Sequence, residues 1–355
     1  MIRKLLLLLE GCVLLLGLLV VFVAWQQHSA LNQPLNLEAE QLLDVPAGAT
    51  PGGVLNRLES EGVLHDAFWL RLYWRFNLSG QSLHSGEYRM LPGQRAIDLV
   101  RLWRRGEVVQ YSLTLVEGWN FRQVRAALAK QGKLKQTLEA LSDAELMARL
   151  GQPGIHPEGR FFPDTYRYVR GTSDLDLLKQ AYTRLEQVLD EEWRTRADAL
   201  PYRNPYQALI MASMIEKETG VPAERGQIAG VFVRRLKLGM LLQTDPTVIY
   251  GLGERYNGKL TRAHLHEPTP YNTYIIAGMP PTPIALVGRE AIHAALHPEA
   301  GTSLYFVARG DGSHVFSGDL EAHNRAVREY QLKRRTDYRS SPAPIPETAT
   351  NKDSQ

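Results

Sequence analysis

The sequence predicts an α+β protein of 355 residues, carried on one N-terminal transmembrane helix. Three observations lead there. Residues Leu5–Trp25 form a 21-residue apolar run broken only by Glu10. Beyond it, short β-branched or alternating stretches are interleaved with patterns of helical period. The length suits two domains at roughly 100–200 residues each.

The apolar run spans roughly 31 Å as a helix, enough to cross a bilayer core. Arg3 and Lys4 precede it and no Lys or Arg follows before Arg57. The positive-inside rule keeps such an N-terminus cytoplasmic and exports the rest. A cleaved signal peptide is the competing reading, with a small-residue site conceivable in 28–33. Its apolar core would be shorter, about 7–15 residues. Glu10 lies near the cytoplasmic end, where snorkelling or protonation relieves its cost. Cys12, the single cysteine, excludes an intramolecular disulfide, a multi-cysteine zinc site and a CxxC motif. Bulky residues follow it at once, which argues against a lipoprotein site. Forty-one basic residues against 38 acidic ones leave a net charge of +3, too balanced for a nucleic-acid partner. No GxxxxGK[ST] loop is present, and an exported domain has no ATP supply.

Residues 26–40 are polar and aperiodic and read as a linker. A strand and turn are expected over 41–48, then a helix capped by Thr50 with Val54, Leu55 and Leu58 on one face. A second helix carries Phe68, Leu70, Leu72, Tyr73 and Phe76. Strands are expected at 85–90 and 108–118, with a helix over 94–105 between them. Helices follow at 120–131, 135–150 and 174–197. The connector 151–168 is rich in Gly, Pro and aromatics, and long connectors in compact domains are often functional. Helices are expected at 205–219 and 223–238, loops over 239–288, a helix at 289–296, a strand at 303–309, a turn at Asp311-Gly312 and a last helix at 319–334. Residues 335–355 lack an apolar face and read as a disordered tail.

Chemistry concentrates in the helix 205–219. Glu216 and Glu218 point roughly 200° apart. Stepping back from Glu218 by three, four and seven residues meets Ile215, Met214 and Met211, so Glu218 continues an apolar stripe. Glu216 lies over the smaller row Ser213, Ala212 and Leu209. A desolvated carboxyl has a raised pKa and holds a proton near neutrality, as a general acid must. A negative charge at a helix C-terminus opposes the macrodipole, so the placement gains nothing obvious for stability. The segments 241–253 and 267–284 are dense in amides, hydroxyls and rings. Gln243, Asp245, Tyr250, Tyr271, Asn272 and Tyr274 suit the hydroxyls and CH faces of a sugar. The i, i+4 pair His293/His297 lacks the Glu of a zinc-protease motif, and no GxSxG elbow occurs. No metal or other cofactor is expected.

Longer motifs then resemble a known family. "VEGW" (116–119), "EGRFFPDTY" (158–166), "ASMIEKET" (212–219), "RLKLGMLLQTDPTVIYGLG" (235–253), "PYNTY" (270–274), "GMPPTPI" (278–284) and "HVFSGDLEAHN" (314–324) together resemble the endolytic murein transglycosylases, the YceG-like proteins of the bacterial envelope. The family often carries Trp where Phe161 or Phe162 stands, which keeps the aromatic character. The resemblance implies a LysM-like α/β subdomain over 41–117 and a mixed α+β catalytic domain over 118–334. It implies a single-pass inner-membrane protein with residues 1–4 cytoplasmic and the bulk periplasmic. It implies lytic cleavage of peptidoglycan strands between N-acetylmuramic acid and N-acetylglucosamine, leaving 1,6-anhydro ends, with Glu218 as acid and then base. Penicillin-binding synthases are the implied neighbours. Two alternatives stay open: a non-catalytic glycan-binding scaffold, and a hydrolase with Asp245 or Asp164 as second carboxylate.

Overall fold

The computed structural model describes residues 2–332, so the expected tail at 335–355 lies outside the described residues. The fold is mixed α+β and divides into two compact units. Of the described residues, the first comprises those up to 112 with 132–135 and 167–173; the second comprises 113–131, 136–166 and 174–332.

In the first unit, helix α1 (Ile2–Asn32) is followed by β1 (Gln41–Val45), α2 (Pro51–Ser60), α3 (Phe68–Asn77), β2 (Gly86–Met90) and α4 (Ala96–Arg105). β1 and β2 pair antiparallel, from Gln41 opposite Met90 to Val45 opposite Gly86. Alternation sends Leu43 and Val45 inward and leaves Leu42 exposed. The Thr50 hydroxyl accepts the Gly53 N–H at 3.1 Å and Pro51 opens α2, so the cap forms where it was expected. Val54, Leu55 and Leu58 are buried against Leu70, Tyr88, Leu99 and Trp103. Trp74 and Trp103 meet edge to face at 5.9 Å. Glu87, 3% exposed, accepts from Lys133 at 2.9 Å, Arg170 at 2.7 Å and the Tyr111 hydroxyl. Burial pushes its carboxyl up, but these donors outweigh burial and hold it below the usual range. Those bonds explain why 132–135 and 167–173 belong to this unit.

The expected linker at 26–40 is corrected. α1 runs on to Asn32, Ala30 and Leu35 are buried, and the Leu35 N–H donates to the Gln94 carbonyl at 2.7 Å. Scattered apolar residues among polar ones give no helical stripe, yet Ala30 and Leu35 are buried, and Leu31 and Leu37 pack against the adjoining core.

The division between the units falls inside β3 (Tyr111–Thr114), shorter than the strand expected over 108–118, and inside β4 (Thr165–Tyr168). The second unit holds α5 (Phe121–Ala129), α6 (Asp143–Arg149), α7 (Asp174–Arg194), α8 (Pro205–Glu218), α9 (Arg225–Lys237), α10 (Asp245–Leu252), α11 (Arg262–His266), α12 (Arg289–Leu296), β5 (Tyr305–Ala308), β6 (His314–Ser317) and α13 (Leu320–Val327). Only 143–149 of the expected 135–150 helix forms. The Asp174 carboxylate takes the N–H groups of Thr137 and Leu138 at 2.9 and 3.1 Å, and so fixes that stretch as a loop. α8 is the centre of this unit. Every side chain from Ala208 to Ile215 is buried, enclosed by Leu185 and Val188 of α7, Ile228 and Phe232 of α9, and Ile292 and Leu296 of α12. A helix apolar on all sides is a buried helix. The loops expected over 239–288 contain two short helices, α10 and α11, and α10 places Asp245 at a helix start.

Candidate active site

α8 begins with the Asn204 side chain accepting the Gln207 N–H at 3.0 Å and Pro205 in the first turn. It ends on Glu218, after which Thr219 turns extended. Glu218 is half-buried, and its carboxyl receives a short hydrogen bond from the Thr244 hydroxyl. Burial pushes that carboxyl up to about 7; the Thr244 hydroxyl works against the rise and the negative charge of Asp245 adds to it. Thr244 is itself 1% exposed. Its N–H donates to the Thr273 hydroxyl at 3.0 Å, and the Thr247 hydroxyl donates to its carbonyl at 2.8 Å. The donor facing Glu218 is thus locked by buried threonines.

The two glutamates of α8 differ in kind. The Glu216 side chain, only 6% exposed, takes the Gly288 N–H at 3.2 Å and lies 3.7 Å from Arg225. It is more enclosed than its small-residue row suggested, because Arg225 and the backbone at Gly288 close over it. Burial first, then Glu117, raises its pKa, and Arg225 opposes. Glu216 is held between fixed partners. Both line one cleft, but among the described residues Glu218 meets there a single neutral donor and no cation.

That cleft, of about 1090 Å³, is lined by Glu218, Gln243, Asp245 and Tyr274, with Tyr305 and His323 among its other residues. Gln243 sits at φ 53°, a left-handed conformation that side chains disfavour. Arg235, 7% exposed, holds this turn through the Leu241 and Leu242 carbonyls, both at 3.0 Å. The Tyr274 hydroxyl donates to Asp245 at 2.6 Å. A second cleft of about 730 Å³ contains Tyr250 and Tyr271, and Gly118, Lys217, Pro246 and Ile249 line both.

Asn272 lines neither cleft. It is fully buried, its amide donates to the carbonyls of His264, Leu265 and Glu267, and its Oδ1 accepts the Tyr274 N–H. It shapes the loop that carries Tyr274. Asp164 is exposed on a separate surface groove.

Sequence reasoning missed Glu158. It is 3% exposed in the second cleft, takes the Phe121 N–H at 3.0 Å and receives the Tyr250 hydroxyl at 2.9 Å. Burial pushes it up to about 7 in spite of those donors. Its neighbours explain the connector residue by residue. A Cβ on Gly159, at φ 69°, would stand 2.4 Å from Pro283. Arg160 reaches the Tyr182 hydroxyl at 2.9 Å, and Phe161 stacks on Phe121 at 5.3 Å. The signal was the Glu-Gly pair in a Pro-rich connector, but nothing local marked that Glu as enclosed.

The pair His293/His297 gathers a third group, Glu192, and their ligand atoms lie within 4.8 Å of one another. Arg289 shares the Glu192 carboxylate at 2.7 Å, and His297 Nε2 lies 2.7 Å from the Thr195 carbonyl.

Comparison with known proteins supplies the family. The profile of the YceG-like family matches residues 43–329. An endolytic murein transglycosylase of Bacillus subtilis (strain 168) is 28% identical over 336 residues, covering 88% of this chain and 91% of that protein. One from Streptococcus pneumoniae serotype 2 is 24% identical over 320 residues, 81% of this chain but 57% of the longer relative. The crystal structure of a yceG-like protein from Listeria monocytogenes superposes with a TM-score of 0.52 at 31% identity, covering 81% of this chain and 98% of that one.

Proposed function

This chain belongs to the YceG-like family, and from that premise we propose that it is an endolytic peptidoglycan transglycosylase with Glu218 as its acid and base. The observation that carries the reading is one carboxyl, raised to about 7, facing a polar cleft with only a neutral hydroxyl on it. A group so poised is protonated often enough to donate at neutral pH and ionised often enough to accept.

In the proposed reaction Glu218 gives its proton to the glycosidic oxygen between N-acetylmuramic acid C1 and N-acetylglucosamine, and the C1–O bond breaks. The muramoyl C6 hydroxyl attacks C1 while the Glu218 carboxylate takes its proton. A 1,6-anhydro ring forms, no water is consumed, and the enzyme ends protonated as it began. The substrate's 2-acetamido group can carry the developing positive charge, so the second carboxylate of an ordinary glycosidase is dispensable. Gln243, Asp245 and Tyr274 would then bind sugar beside Glu218, with Tyr250 and Tyr271 one cleft along.

Mass spectrometry of digested glycan strands tests the reading: anhydro ends are expected, and no cleavage would leave a scaffold. A hydrolase is the second reading, favoured by Asp245 lying in the Glu218 cleft; reducing ends would establish it. The wider proposal has α1 crossing the inner membrane with the bulk periplasmic, near the penicillin-binding synthases. One apolar helix of membrane-spanning length supports that placement. The β–α–α–β order of the first unit, with its strands paired antiparallel, supports a LysM-like reading of 41–117.

A further inference from the structure

Helix α3, "FWLRLYWRFN" (68–77), is apolar on two opposite sides. Leu70 and Trp74 face inward and are buried in the core of the first unit. At about 100° per residue, Phe68, Leu72, Phe76 and Trp69 fall within one 100° arc on the other side. Phe68 is 53% and Phe76 74% exposed, while Trp69 and Leu72 are half-buried. Outside α1, these are the exposed phenylalanines among the described residues. Arg75, also exposed, borders the arc. A contiguous exposed apolar face of this kind marks a contact surface.

Its place in the fold says what covers it. α3 packs against α1. The junction is tight: the Gln33 side chain donates to the Asp66 carbonyl at 2.9 Å and accepts the His65 N–H at 3.0 Å, and Asp66 caps the first N–H of α3 at 2.8 Å. α1 is continuous to Asn32, so no slack separates this unit from the apolar run that ends at Trp25. Gln33 lies eight residues beyond Trp25, roughly 12 Å along a helix, and a helix with its side chains is about 10–12 Å across. A helix at that height touches the headgroup layer. Phe, Trp and Arg on one face are the composition that seats in that layer.

We propose that α3 is an interfacial helix whose Phe68–Leu72–Phe76 face lies in the headgroup region of the membrane that α1 crosses. The inference rests on α1 as a spanning helix and is independent of the reaction assigned to Glu218. It makes the first unit a membrane-seated platform.

The test uses the full chain in nanodiscs of phosphatidylglycerol and phosphatidylethanolamine in equal parts. A polarity-sensitive fluorophore is placed on native Cys12, or on position 76 through Cys12→Ser with Phe76→Cys, and likewise on position 68 through Phe68→Cys. Headgroup and acyl spin-labelled lipids serve as quenchers. Labels at 68 and 76 are expected to emit blue-shifted and to be quenched most by the headgroup label, while Cys12 is quenched by the acyl label. Water-like emission at both 68 and 76 with Cys12 quenched would overturn the proposal and leave the anchor standing. Concentration-dependent shielding in detergent without lipid quenching would assign the face to a second copy and overturn it too. An unquenched Cys12 would remove the anchor and the proposal together.

Discussion

The chemistry assigned to Glu218 depends on two neighbours that act in opposite directions. The Thr244 hydroxyl stabilises the carboxylate, and the Asp245 charge destabilises it. Thr244→Val therefore raises the Glu218 pKa, and the alkaline limb of the kcat/KM profile moves to higher pH. Asp245→Asn lowers it, and the same limb moves to lower pH. Rate profiles of the two variants on purified glycan strands check the signs; limbs moving together would remove Glu218 as the titrating acid. Glu218→Gln loses the proton cycle, and turnover falls by at least about 10²-fold, whereas Glu216→Gln leaves the acid in place and is much milder. Stability moves the other way. The folded-state pKa of Glu218 stands above its ordinary 4.5, so its contribution is full at pH below 4.5 and is lost as pH rises through about 7. A shift of that size is worth at most roughly 3 kcal/mol at alkaline pH. Glu218→Gln is accordingly expected to melt higher than the wild type at alkaline pH, with the gain fading toward acid, which calorimetry at both ends would read. Of this residue-level picture, the place of Glu218 at the end of an apolar helical stripe was legible because such a stripe is local. Glu158 was not, since its partners Phe121 and Tyr250 lie 37 and 92 residues away.

At the scale of elements, α8 is anchored by a buried hydroxyl as well as by apolar packing. Ser213 donates to the Ile210 carbonyl at 2.7 Å and accepts the Ile284 N–H at 3.0 Å. Ser213→Ala orphans that N–H, and a loss of roughly 1–3 kcal/mol is expected in urea unfolding. The connector is held by backbone shape instead. Gly159→Ala combines a left-handed φ with a Cβ 2.4 Å from Pro283 and 3.0 Å from the Ala285 carbonyl. It is expected to cost roughly 1–3 kcal/mol and, by displacing Glu158, to free the Tyr250 hydroxyl. An unchanged unfolding midpoint would show that the connector yields more easily than this packing implies. A helix with a clear stripe and cap, such as α2, could be read before folding because period and cap chemistry are properties of a few adjacent residues. The segments 136–142 and 245–252 could not. Asp174 keeps the first out of a helix, and the second becomes one because the Thr244–Thr273 lock gives it a start.

At the scale of the whole molecule, the passage from α1 into the first unit sets what can be removed. Ala30 and Leu35 belong to that unit's core, and Pro34 bridges to Arg95. Deleting residues 2–25 is expected to leave both units folded. Deleting 2–35 strips two buried side chains and a backbone pairing, and should lower the melting of the first unit by several degrees. Proteolysis of the two truncated forms would show the difference as early cleavage in 41–112 of the shorter one. If the anchor is more than an export signal, the 2–25 deletion delivered to the periplasm cleaves glycan in solution yet fails to replace the full chain in cells. The sequence by itself determined the apolar run, the α+β alternation, the helix that carries Glu218 and, through ordered motifs, the family. Each is written in neighbouring residues whose period or spacing survives without a partner. Only the tertiary structure decided that Glu216 is held by Arg225 and the Gly288 N–H while Glu218 meets a single neutral hydroxyl, that Asn272 supports a loop, that Glu158 is enclosed, and that Ala30 and Leu35 are part of a core. Desolvation and hydrogen-bond satisfaction are sums over groups distant in the chain, and those sums exist only once the chain has folded.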